Sequence, residues 1–155
     1  MTVIVFGSAN VDLVMPVSTF PMPGETVLTQ SYHPVPGGKG ANQALAVKRA
    51  GVPVNFVGAV GKDHFADCAL SLLRDEAVGL EATIVSDRPT GCAVVLVDTE
   101  GENSIVVASG ANLDVRANQV SDALLQSSRV LVLQQEVSFE ENESLGCRAQ
   151  QTGLK

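Results

Sequence analysis

The sequence predicts an α/β fold, a doubly wound sheet carrying a small β lid, and three observations support that prediction. Short β-branched runs, Val3–Phe6 and Val130–Leu133, have the unbroken apolar character of strands buried on both faces. Stretches with helical spacing alternate with such runs, the rhythm of β-α-β units. Two segments, Val11 to Val35 and Cys92 to Ala108, interrupt this rhythm with turns and short strands of their own, and these are the expected lid. Residues 1–155 are read as part of a single domain, since 45% hydrophobic content over this length is enough for one core.

In chain order, Val3–Phe6 runs as a strand into Gly7-Ser8. Thr26 to Tyr32 reads as an extended piece among Pro16, Pro21, Pro23 and Pro34. A helical pattern from Gly40 to Ala50 stops at Gly51, where a C-terminal cap glycine belongs, and a strand follows from Val54 to Val60. Asp63 to Ala77 is a second helix with Leu70, Leu73 and Ala77 on one face, leading to an extended stretch at Ala82 to Val85. Cys92 to Val97 and Ser104 to Ala108 form a hairpin over the polar turn between them, and this hairpin is expected to join the first lid segment in one sheet. A helix is predicted from Asp114 to Leu125, then the strand at Val130–Leu133, then a last helix over Phe139–Gln151.

Charge and composition exclude several partners. A net charge of −7 with one Tyr and no Trp provides neither the basic surface nor the stacking rings that nucleic acid requires. The opening apolar run is too short for a membrane span and has no basic region before it. Cys68, Cys92 and Cys147 lack the spacing of a zinc site or a disulfide framework, and His33 and His64 stand far apart, so no metal site is expected and a cytoplasmic location fits.

The segment Val35-Pro36-Gly37-Gly38-Lys39-Gly40-Ala41-Asn42-Gln43-Ala44 carries the chemistry. Glycines allow close backbone approach, and the first N–H groups of a helix favour anionic or polyhydroxy ligands. It is not a phosphate-binding Walker loop, since His33 and Gly40 stand where that pattern needs Gly and Ser or Thr. Ligands of open α/β sheets bind beyond the carboxyl ends of the strands. Asn10 and Asp12 follow the first strand, Glu136 follows the strand at Val130–Leu133, and Lys39 and Asn42 share one face at the start of a helix. Each has a plainer reading alone: an Asx turn, a helix cap, a solvated charge. Together they are a set of donors and acceptors suited to vicinal hydroxyls.

These residues also resemble a known family. Gly7-Ser8-Ala9-Asn10-Val11-Asp12, then Phe20-Pro21-Met22-Pro23-Gly24-Glu25-Thr26, then Gly37-Gly38-Lys39-Gly40-Ala41-Asn42-Gln43-Ala44 are similar in order and spacing to the N-terminal half of the ribokinases, within the phosphofructokinase-B-type carbohydrate kinases. Gly58-Ala59-Val60-Gly61-Lys62-Asp63, Thr90-Gly91, Gly101-Glu102-Asn103 and Ser109-Gly110-Ala111-Asn112 continue the likeness, which covers essentially the whole chain.

The resemblance implies a ribokinase-like fold in which Asn10, Asp12, Gly38, Lys39, Asn42 and Glu136 contact a sugar, with Ala93 and Val107 meeting it from the lid. It implies ATP and Mg2+ as cofactors, with a monovalent cation as a further expected ion, and a homodimer formed through the lid. Ribose at its 5-hydroxyl is the expected acceptor, with deoxyribose, fructose or a nucleoside as alternatives. The family's Gly-Ala-Gly-Asp motif, which holds the aspartate base and an anion hole, is not found in this sequence, so the catalytic base is expected beyond Lys155. The chain is therefore expected to be a truncated, N-terminal half with no catalytic residue of its own, inactive and poorly stable or associated when alone. A non-catalytic sugar-binding or dimerisation module is the competing expectation.

Overall fold

The computed structural model describes residues 2–154. Lys155, beyond which the catalytic base is expected, lies outside the described residues. The centre of the fold is β1 (Val3–Phe6), flanked by β4 (Val54–Val57) and β9 (Val130–Leu133), both parallel to it. All four residues of β1 are buried, and the two-residue period of a strand sends them to opposite faces. Val3 and Val5 join Ala44, Leu45, Phe56, Leu70 and Leu73 in one core. Ile4 and Phe6 join Val57, Val115, Val120, Leu125 and Leu145 in the other. This double burial is why β1 carries no polar residue, and truncating Phe6 to Ala would cost about 3–5 kcal/mol.

The first core is closed by α1 (Lys39–Arg49) and α2 (His64–Asp75), the second by α4 (Phe139–Gln151) and the irregular segment before β9. α1 ends where predicted, with Gly51 in the left-handed region at φ 81°. α2 starts at its cap Asp63, whose side chain accepts the N–H groups of Phe65 and Ala66.

A separate four-stranded sheet has the order β3-β2-β7-β8, built from β2 (Asn10–Pro16), β3 (His33–Gly37), β7 (Gly91–Val97) and β8 (Asn103–Ala108). β7 and β8 form the expected hairpin, with Ala93 opposite Val107. The Asp98 carboxylate accepts the N–H groups of Glu100 and Glu102 and shapes the turn. The two predicted lid segments thus share one sheet, with β2 and β7 paired in parallel.

Three expectations need correction. Thr26 to Tyr32 has no regular structure; the strand is β3, which begins just after it and contains Pro34 and Pro36. Prolines cannot donate to a ladder, and they are tolerated because β3 is an outer strand. The strand read as Val54 to Val60 divides at Gly58 into β4 and β5 (Ala59–Val60), and β5 pairs with β6 (Ile84–Val85). Gly58 permits the departure, since a Cβ there would meet the Phe56 ring at 2.5–2.6 Å.

The third correction is the helix predicted from Asp114 to Leu125. Two 3-10 turns, Gly110–Asp114 and Ala117–Gln119, and the short α3 (Asp122–Ser127) replace it. Long-range hydrogen bonds override the local pattern: Gln119 Nε2 donates to the carbonyls of Gly58 and Ala82, and Glu141 Oε2 accepts the Ala117 N–H. No described helix is long and apolar enough to cross a membrane.

Candidate functional site

Asn10 and Asp12 lie within β2 rather than in a loop after β1, opposite Gly37 and Val35 on β3 and Gly91 and Ala93 on β7. Strand alternation puts Asn10 and Asp12 on one face of the four-stranded sheet with Ala93, Val95, Ile105 and Val107. Opposite them stand Gly38, Lys39 and Asn42 at the start of α1, and Glu136 after β9. These ten residues line one cavity of about 340 Å³. All six polar-site residues read from the sequence are in it, as are Ala93 and Val107. Val95 and Ile105 escaped the sequence reading, although each lies two positions along a strand from Ala93 or Val107, the spacing that marks a shared face.

The start of α1 is built by other parts of the chain. Gly38, at its N-cap, has φ 91° and no side chain to cap with. Instead the Lys39 N–H donates to Glu136 Oε2 at 3.0 Å, the Gly40 N–H to Ser8 Oγ at 3.3 Å, and the Ala41 N–H to the Ser8 carbonyl at 2.9 Å. The helix terminus expected to meet a ligand with free N–H groups is thus occupied by the protein's own acceptors. Ser8 is fully buried and also donates its hydroxyl to Glu136 Oε2 at 2.7 Å. Gln134 Oε1 accepts the Glu136 N–H at 2.6 Å. Glu136 is therefore held at backbone and carboxylate, with Oε1 3.9 Å from Lys39 Nζ.

A second network holds the β2 end of the cavity. Asn112 accepts the Ala9 N–H at 3.0 Å and donates to Asn10 Oδ1 at 2.7 Å. Neither Ser8, Asn112 nor Gln134 was singled out from the sequence; Ser8 and Asn112 stand inside quoted motifs, whereas only the tertiary structure gives Gln134 a role.

Burial pushes the Asp12 carboxyl above its ordinary value, and the negative Glu136 adds to this while Lys39 opposes it. Cys92, one residue along from Ala93, sits on the opposite face of the sheet, its thiol pushed up by burial and by the Asp12 charge. Among the described residues no group of three or more His, Cys, Asp or Glu side chains is placed to hold a metal ion.

The arrangement offers two amides, one ammonium and two carboxylates in front of an apolar wall, the constitution of a site for a small polyhydroxy molecule. The pfkB family carbohydrate kinase pattern matches residues 2–153. The ribokinase of Bacillus subtilis (strain 168) is 42% identical over 139 residues, covering 88% of this chain and 47% of that protein. The ribokinase of Haemophilus influenzae is 38% identical over 159 residues, covering 99% and 51%.

Among solved structures, ribokinase from Giardia lamblia matches with a TM-score of 0.87 at 36% identity, covering 99% of this chain and 49% of that one. Arabidopsis thaliana ribokinase complexed with ribose and ATP matches with a TM-score of 0.85 at 31% identity, covering 99% and 51%. The fold is therefore ribokinase-like, and the chain spans about half the length of the curated relatives it matches. With a family match over nearly every residue and relatives this similar, the chain belongs to the pfkB family of carbohydrate kinases.

Proposed function

We propose that this chain is the sugar-binding half of an ATP-dependent carbohydrate kinase whose parent phosphorylates ribose, or a related pentose, at the 5-hydroxyl. The observation that carries this reading is the convergence of Asn10, Asp12, Gly38, Lys39, Asn42, Glu136, Ala93 and Val107 on one cavity. Asp12 and Glu136 accept from sugar hydroxyls, Lys39, Asn10 and Asn42 donate to them, and Gly38 lets the backbone close in. Ala93, Val95, Ile105 and Val107 cover an apolar face of the sugar and exclude water. The four-stranded sheet is the lid in this reading, made by about 13–36 and 91–108.

Phosphoryl transfer needs a base at the accepting hydroxyl and positive groups around the transferred phosphoryl. The relatives are about twice as long, so we assign the base and the nucleotide groove to a part of the parent beyond Lys155, outside the described residues. ATP is supported as donor by the Arabidopsis relative, complexed with ribose and ATP. Magnesium accompanies ATP in the parent and is held in that same part. ATP supply and three unpaired thiols fit a cytoplasmic protein.

We also propose a homodimer through the lid. Pro34 and Pro36 blunt the β3 edge, while every residue of the β8 edge is exposed, Val106 to 73%. A second reading, a non-catalytic sugar-binding module, is favoured by the completeness of the cavity within these residues.

Calorimetric titration of ribose into the chain tests the site. Saturable binding that Asp12→Ala abolishes supports it, and a folded chain that binds no pentose overturns it. In the parent, Asp12→Ala should abolish ATP-dependent ribose phosphorylation, and retained turnover would remove the assignment.

A further inference from the structure

Asn10 and Asn112 form a buried pair, 3% and 2% exposed, whose hydrogen bonds settle which end of each amide faces where. The Ala9 backbone N–H can only donate, so the Asn112 atom 3.0 Å from it is the carbonyl oxygen. The Asn112 nitrogen is then the atom 2.7 Å from Asn10, and because it donates, Asn10 must turn its own oxygen toward it. Asn10 Nδ2 is left for the cavity that Asn10 lines, and it has no acceptor among the described residues. Gly91 makes the pairing possible, since a Cβ at that position would strike both Asn10 Oδ1 and Asn112 Nδ2.

We infer that Asn112 is a positioning residue that fixes the hydrogen-bonding polarity of the sugar site by holding Asn10 as a donor. This rests on the sugar-binding reading. Without Asn112 the Asn10 amide is free to present either end, and beside the carboxylates of Asp12 and Glu136 an extra oxygen would make the cavity wholly accepting on that side. With Asn112 in place, the ligand atom that meets Asn10 must accept a hydrogen bond. A neutral hydroxyl does so and a protonated amine does not, so the pair selects a sugar hydroxyl over an amino group at that position.

The test uses two measurements on the chain. Side-chain amide hydrogen exchange by NMR, without ligand, reads the orientation: the Asn112 amide protons should exchange more slowly than those of Asn10. In Asn112→Asp no amide remains at position 112; the introduced carboxylate repels Asn10 Oδ1, so the Asn10 amide should turn its nitrogen toward it and exchange more slowly than in the unaltered chain. Ribose titration then reads the consequence. Asn112→Asp should weaken binding by roughly 10- to 100-fold, and Asn10→Asp, which removes the donor without touching Asn112, should act in the same direction.

In an Asn10→Ala background, Asn112→Asp should change affinity by less than about threefold, because its effect passes through Asn10. Unchanged binding in Asn112→Asp, or a full effect in the Asn10→Ala background, overturns the proposal. Equal exchange of the two amides overturns it as well. Should the expected exchange order appear in a chain that binds no ribose, the sugar reading falls and the proposed selectivity falls with it.

Discussion

The Glu136 carboxylate accepts the Lys39 N–H at 3.0 Å, so a loop after β9 caps a helix that begins 97 residues earlier in the chain. The same oxygen accepts the buried Ser8 hydroxyl at 2.7 Å. One carboxylate thus ties the segment after β1 and the loop after β9 to the start of α1, on the side of the cavity that faces the four-stranded sheet. Its second oxygen lies 3.9 Å from Lys39 Nζ, a largely solvated pair that contributes little by itself.

Glu136→Ala should therefore destabilise the fold by about 1–3 kcal/mol, because a helix N–H and a buried hydroxyl lose their acceptor. Glu136→Gln keeps an acceptor there and should recover most of that loss while still binding ribose more weakly. Urea unfolding of both variants checks this, and an alanine variant as stable as the unaltered chain would remove the capping role.

Asp12 has its pKa raised, by burial first and by Glu136 second. A carboxyl raised in the folded state contributes stability that is full below the ordinary carboxylate range and is lost as pH rises through the raised value. At neutral pH the ionised group costs the unliganded chain stability. Asp12→Asn should leave Tm equal or higher while weakening ribose binding by about tenfold or more. Thermal melts and titrations on that variant are the measurement; a lower Tm would show that Asp12 holds the fold rather than the ligand.

Asp63 behaves in the opposite way. Burial alone would raise its pKa, but hydrogen bonds from the Thr90 N–H and hydroxyl, both 2.7 Å, and from the Ala66 and Phe65 N–H groups outweigh it. Its stabilisation is present above the ordinary carboxylate range and is lost as pH falls through the lowered value. Asp63→Ala should cost about 1–2 kcal/mol near neutrality and flatten the loss of stability in acid. Unfolding curves across that pH range would show the convergence of the two proteins, and parallel curves would refute it.

Two adjacent glycines should respond differently to alanine. At Gly38, with φ 91°, a Cβ would meet backbone atoms of Ser8, Ala9 and Asn10 at 2.9 Å, and strain in both conformation and packing should cost about 1–3 kcal/mol or more. At Gly37 the Cβ would run into the Asp12 carboxylate, a side chain that can swing away. Gly37→Ala should fold but bind ribose poorly, while Gly38→Ala should show its loss first in Tm. Melting and titration of the pair separate the two effects.

Sedimentation addresses the lid contact. Val106→Lys on the exposed β8 edge should shift a dimer to monomer without lowering Tm by more than a few degrees, since Val106 is 73% exposed. An unchanged sedimentation coefficient for a dimeric chain would place the contact elsewhere.

Strands at Val3–Phe6 and Val130–Leu133 and the helix at Phe139–Gln151 were legible because their signals are local: unbroken apolar runs and helical patterning. Gly38, Lys39 and Asn42 were legible too, through a motif whose glycine and polar positions are contiguous, and Asn10, Asp12 and Glu136 through their places after predicted strands, whereas Val95 and Ile105 were not. Proline content hid β3, because whether a proline-containing run can be a strand depends on its being outermost in a sheet. The segment from Gly110 to Ser127 looked helical, and only the bonds of Gln119 and Ala117 to distant groups bend it into short turns.

By itself, then, the sequence determined which residues carry donors, acceptors and apolar surface, and in what order the elements follow. Tertiary structure alone decided that Asn10 and Asp12 stand on a strand, that Glu136 occupies the helix terminus expected to be free, and that Asn112 and Gln134 orient the residues beside them. The reason is physical. Periodicity and capping act over a few residues, whereas the Ser8–Glu136 and Asn10–Asn112 bonds join positions 128 and 102 residues apart. Their geometry exists only once the strands between them have paired.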